Sequence, residues 1–221
     1  DKLPSLKLHL KEIGQVLQSR IFWGIAPLAA ISSGANMAIH GLWMKPWLRD
    51  VTGLSADNAA QLLFAMTLTF IGGFLTLGII AERLSQLFDV HLMSISVFGM
   101  TIFLFIQGTM IYGGIGSPLI LVILLGFFGT ASVLVYAGYA KIFPKNLSGR
   151  VSTFLNLLVF IGAFILQWGV GAIIELWPPT DNGYDPESYQ SAFGFLVILQ
   201  AAGLMWYLFS KKIYRKQNIL I

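Results

Sequence analysis

The chain contains no cysteine. Disulfides, thiolate metal sites and cysteine nucleophiles are therefore excluded. Charge is scarce too: Asp, Glu, Lys and Arg make up 11% of the 221 residues, against about 25% in an average soluble domain. Apolar residues take their place, at 56% of the chain with a mean hydropathy of +0.76. A water-soluble fold of this size has no means of hiding so much apolar surface. That excludes a cytosolic enzyme, a disordered chain and a nucleic-acid-binding module. The chain begins at Asp1, and no short apolar core with a cleavage site follows it. It therefore reads as processed, or as a piece of something longer.

Six windows are long and apolar enough to cross a bilayer, which takes about 20 residues at ~1.5 Å each. They fall at about 21–47, 59–81, 90–112, 119–142, 151–174 and 191–209. Ser55 and Asp57 open the second as N-cap and first-turn acid. Gly113, Gly114, Gly116 and Pro118 break the chain between the third and fourth. The alternating polarity of a membrane barrel is missing. The fold class is all-α membrane protein, with an arm at 1–20, a six-helix bundle at 21–210 and a basic tail at 211–221.

The few charges are sorted. Twelve of the 14 cations lie in the arm, the even loops or the tail, and only Lys45 and Arg49 fall on the other side. The acidic fifth loop, with Glu175, Asp181, Asp185 and Glu187, also falls there. The positive-inside rule then makes both termini cytoplasmic. The net charge of +4 reports topology and calls for no nucleic-acid partner. Leu6, Leu8, Leu10 and Ile13 among lysines permit an interfacial amphipathic helix, but the arm reads first as a cytoplasmic linker.

Polar groups inside the apolar runs are the candidate functional residues, because polarity is expensive in lipid. Ser33, Asn36 and His40 recur at helical spacing on one face of the first span. They line a water-filled path or hydrogen-bond a neighbouring helix, at ~0.6 kcal/mol per contact. Tyr136 of the fourth span, and Asn156 and Gln167 of the fifth, carry the same two readings. Tyr139, Trp43 and Trp47 lie near span ends and read as interfacial belt residues. Ser94, Ser96, Gln107 and Thr109 read as packing contacts. No Asp, Glu or Arg lies near the centre of any span, so His40 is the sole central titratable group. It is either a proton-coupling residue or a neutral hydrogen-bonding one.

Two cytoplasmic loops are patterned: Gly78-Ile79-Ile80-Ala81-Glu82-Arg83, and Phe143-Pro144-Lys145-Asn146-Leu147-Ser148-Gly149-Arg150. Glycine at a helix end permits close approach, and an adjacent acid–base pair can clasp a neighbouring terminus in one state and release it in another. These segments resemble loops of the major facilitator superfamily. The first is similar to its Gly-x-x-x-Asp-Arg motif, with Glu82 where the family has aspartate. The second is similar to the loop between its tenth and eleventh helices. The resemblance implies that the spans correspond to helices seven to twelve, built as two inverted three-helix repeats. It also implies a central cavity lined by the helix of Ser33, Asn36 and His40, and a cytoplasmic gate at Gly78, Glu82, Arg83, Gly149 and Arg150.

The resulting expectation is a secondary active transporter of a small solute in the bacterial inner membrane. Its partners would be the lipid bilayer, an N-terminal six-helix half and a coupling ion, protons or another, with no cofactor. The alternatives are a six-span channel or a stand-alone half-size carrier acting as a dimer. An intramembrane serine protease fails because neither Ser33-Gly34 nor Ser148-Gly149 sits in a Gly-x-Ser-Gly motif. A metalloenzyme fails because His9, His40 and His91 lie in separate regions without paired carboxylates. Aquaporin half-helix motifs and selectivity-filter runs are absent as well.

Overall fold

The computed structural model describes residues 6–114, 116–181 and 183–216. A short helix, α1 (Leu6–Leu17), precedes six long ones. These are α2 (Arg20–Asp50), α3 (Ala56–Phe88), α4 (Leu92–Tyr112), α5 (Pro118–Ile142), α6 (Lys145–Ile174) and α7 (Pro186–Lys216). Among the described residues there is no β-strand, only an isolated bridge between Thr180 and Gly183. All six are long and apolar enough to cross a membrane, and the chain is an integral membrane protein.

Each expected window contains a helix, but several helices outrun their windows. The second was expected over 59–81 and spans 56–88; the fifth was expected over 151–174 and begins at Lys145; the sixth was expected over 191–209 and begins at Pro186. Hydropathy stops at the first polar cluster, whereas a helix continues until something caps it. In α3 that is Ser55, whose hydroxyl accepts from the Asn58 amide at 3.3 Å, and Asp89, in the left-handed region at φ 51°. The glycine turn between α4 and α5 forms as expected, with Gly113, Gly114 and Gly116 all at positive φ.

The arm departs from the linker reading. Residues 6–17 form α1, which packs against α2 and α6 through the fully buried Val16. The arm residue Lys2 and tail residues 217–221 lie outside the described residues.

Two helix pairs dominate the bundle: α2 against α6, and α3 against α5. Glycines set both. A Cβ at Gly34 would lie 3.0 Å from the Ala163 nitrogen, and one at Gly126 would lie 3.3 Å from the Phe70 nitrogen. Small residues let backbones meet this closely where no hydrophobic driving force separates protein from lipid. Below the surface, Ser32, Gln200 and Gln107 link α2, α7 and α4. Ser32 donates to Gln200 Oε1 at 3.4 Å, and Gln200 Nε2 donates to Gln107 Oε1 at 2.6 Å. At the end away from α1, Asp50 accepts from the Tyr184 amide at 3.1 Å and from the Tyr189 hydroxyl at 2.7 Å, tying the fifth loop to α2.

Two belt assignments are corrected. Trp47 is fully buried, packed in the same cluster as Leu121 and Tyr189. Tyr139 is fully buried and donates to the Phe22 carbonyl at 2.6 Å. Depth along a helix suggests a belt, but the direction in which the side chain turns decides burial, and both turn inward. Trp43 is only partly exposed and donates its indole N–H to the Gln167 carbonyl at 3.3 Å.

Candidate solute cavity

Neither α2 nor α5 is a regular helix throughout. In α2 the turn Ile39–Trp43 is a π-helix, and Met44 N donates to Ile39 O. In α5 the α-helix stops at Gly129, passes through a 3-10 turn at Ala131–Val133, and resumes at Leu134. Such irregular turns inside long helices often mark functional positions. The α5 interruption lines a cavity of about 390 Å³, and the α2 interruption lies just beyond it. The cavity walls come from α2, α3, α5 and α6, with no lining residue from α4 or α7.

Four of the six expected pathway residues meet here: Ser33, Asn36, Tyr136 and Asn156. Ser33 Oγ donates to Ser132 Oγ at 2.7 Å, so those two hydroxyls satisfy one another across the α2–α5 contact. Tyr136 OH lies 3.4 Å from Asn156 Oδ1, at the long limit of a hydrogen bond. Asn36 is only 3% exposed, and its buried Oδ1 has no hydrogen-bond partner among the described residues. Its Oδ1 is packed against the Gly129 backbone, where a Cβ would collide with it. Glycine at 129 is thus what leaves room for the amide. Phe70, Phe74 and Phe160 supply the apolar wall, and no lining residue carries a charge.

The other two expected pathway residues sit elsewhere. His40 falls in the π turn and does not line the cavity. Its Nε2 is 3.0 Å from Thr67 Oγ1, and its ring lies 5.2 Å from that of Phe70, a cavity residue. The Thr67 hydroxyl also lies within hydrogen-bond reach of the Leu63 carbonyl, at 2.9 Å. Gln167 donates from Nε2 to the Met37 carbonyl at 3.2 Å, splinting α6 to the residues just before the wide turn. It does not line the cavity.

The expected gate residues divide in the same way. Glu82 and Arg83 are exposed and make no ion pair or hydrogen bond with the described residues, and a Cβ at Gly78 or Gly149 would meet nothing within 4 Å. Arg150 is engaged: its Nε and Nη2 approach Glu12 Oε2 of α1 at 2.6 and 2.5 Å. Among the described residues, then, the expected close approach at Gly78 does not occur, and Arg150 clasps the arm.

Sequence reasoning missed the aromatic wall at Phe70 and Phe74, the Thr67 partner of His40, and Glu12. Phe70 and Phe74 are spaced i, i+4 on α3, their rings stacked edge to face at 4.8 Å. That spacing is the available signal, although apolar residues occupy every face of that helix. No family model matches the chain, and no curated protein aligns with it.

Proposed function

We propose that the chain is the C-terminal six-helix half of a major facilitator superfamily transporter, moving a small solute by alternating access. The observation that carries this reading is the cavity of about 390 Å³, lined by Asn36, whose buried Oδ1 has no partner among the described residues, and by the irregular turn of α5, with a second irregular turn in α2 next to Asn36 in sequence. Intramembrane polar groups without partners are costly, so their retention favours a role in a pathway. Interrupted helices in corresponding positions of two repeats are the expected marker of a transporter site.

In this reading the two repeats are residues 20–112 and 118–210, with the first span equivalent to the fourth and the second to the fifth. The glycine contacts agree with that equivalence. Exchanging repeats turns the approach of Gly34 to Ala163 into that of Gly126 to Phe70. The exposed faces of α3 and α6 flank the cavity and offer an N-terminal six-helix half its docking edge. The basic end faces the cytoplasm of a bacterial cell, by the positive-inside rule, and the exposed Glu82–Arg83 pair gates by clasping that partner half. Coupling to protons or another ion falls to His40 or to the partner half.

The test is uptake by the full-length protein in proteoliposomes, screened with labelled small solutes. Saturable uptake with counterflow, weakened by Asn36→Ala or His40→Ala and unaffected by Ser94→Ala at equal incorporation, supports the carrier. Equal activity of all three variants removes the cavity assignment, and non-saturating flux without counterflow favours a channel.

A further inference from the structure

We propose that this cavity selects an uncharged solute, with a flat apolar body bearing an amide-like pair of hydrogen-bonding groups. The inference deepens the transport reading and rests on it only for the statement that the ligand crosses the membrane; the chemistry of the ligand follows from the walls.

The first observation is the absence of charge. No Asp, Glu, Lys, Arg or His lines the space. Against these walls a charged solute meets amide and hydroxyl dipoles and no counter-charge, and an unpaired charge in an apolar site is strongly disfavoured. The second is the character of the polar groups. Ser33 and Ser132 are consumed by their mutual hydrogen bond. That leaves the Asn36 side chain, 3% exposed with its Oδ1 against the Gly129 backbone, and, at more open positions of the lining, the Asn156 amide and Tyr136 hydroxyl, joined only by a 3.4 Å contact. A carboxamide both donates and accepts, so it pairs best with a group that does the same, such as an amide, a lactam or a heteroaromatic N–H beside a carbonyl. A site built to hydrogen-bond rejects a ligand that leaves its buried polar groups unpaired. The third is the wall of Phe70, Phe74 and Phe160, with Met37 and Val159 beside them. Aromatic rings favour offset or edge-on contact with a planar body, and the thioether fills irregular gaps. A volume of about 390 Å³ accommodates one or two rings.

The experiment uses the full-length protein in lipid nanodiscs and four probes: benzamide, benzoate, benzylammonium and acetamide. Binding is read as saturable thermal stabilisation, referenced to each probe's partitioning into empty discs. Benzamide is expected to stabilise the protein, with benzoate and benzylammonium at least about tenfold weaker. Acetamide, lacking the apolar body, is expected to be weaker by a similar factor. Asn36→Leu is expected to weaken benzamide about tenfold. Asn156→Leu, at an exposed position, is expected to weaken it about fivefold and serves if the first variant does not fold. Equal or tighter binding of either charged probe, no benzamide binding, or indifference to Asn156→Leu overturns the proposal. Counterflow of benzamide in proteoliposomes separates the two claims. Selective binding without counterflow leaves the site chemistry standing and removes the carrier, whereas saturable counterflow of a charged solute does the reverse.

Discussion

Helices α2 and α3 are nearly equal in length, at 31 and 33 residues, yet they occupy opposite environments. In α2, 67% of the most apolar window is buried; in α3, 11% is. The buried helix is the less apolar one, with window hydropathies of 1.3 against 2.1. A soluble protein would sort them the other way. In lipid, apolar surface gains nothing by hiding, and polar groups must find partners or a cavity. Ser32, Ser33, Asn36 and His40 therefore draw α2 inward, and α3 turns Phe64, Leu68 and Leu75 outward.

The largest effect expected from this contrast is steric. Gly34→Leu forces a side chain into the α6 backbone and should destabilise the bundle by about 3 kcal/mol. Gly78→Leu on α3 meets nothing within 4 Å and should shift stability by less than about 1 kcal/mol, toward greater stability. Thermal or SDS unfolding in detergent compares them, and equal losses would break the contrast.

Next in size is function. Asn36→Ala and His40→Ala on α2 should each cut saturable transport about tenfold, near 1.4 kcal/mol. Ser94→Ala on α4, whose hydroxyl accepts from the Lys211 ammonium at 3.2 Å and does not line the cavity, should leave transport intact. A smaller effect is expected at the arm. The Glu12–Arg150 pair is partly exposed, at 12% and 26%, so Glu12→Gln should cost about 1 kcal/mol or less in unfolding measurements, and the loss should shrink in salt. Smallest in stability is Arg83→Ala on the exposed end of α3. Unfolding should change by under about 0.5 kcal/mol, but cysteine accessibility at the two mouths should shift in balance.

Much of the fold was legible because composition and periodicity act at the scale of whole helices. The six spans, the Ser55 cap and the glycine turn all follow from local chemistry. So does the clustering of Ser33, Asn36, Tyr136 and Asn156, since each is a polar interruption in an apolar run. What was not legible depends on which way a helix faces. Trp47 and Tyr139 sit at depths where belts form, yet other helices cover them. His40 falls in the π turn and outside the cavity lining, and Gly41 within that turn permits a bend without specifying its form. Phe70 and Phe74 line the cavity on a helix where Phe64 and Leu68 face outward, and hydropathy does not separate the two pairs. Glu12 drew no notice because its partner, Arg150, lies 138 residues away.

These 221 residues contain no cysteine, so a thiol introduced among them reports from a known position. A single cysteine at Val133, an exposed cavity residue at the end of the interrupted turn in α5, can be probed with a membrane-impermeant thiol reagent from each side of oriented proteoliposomes. Alternating access predicts labelling from both sides, with solute raising the rate on one side as it lowers it on the other. Labelling from one side alone, or at rates that solute does not redistribute, would contradict it.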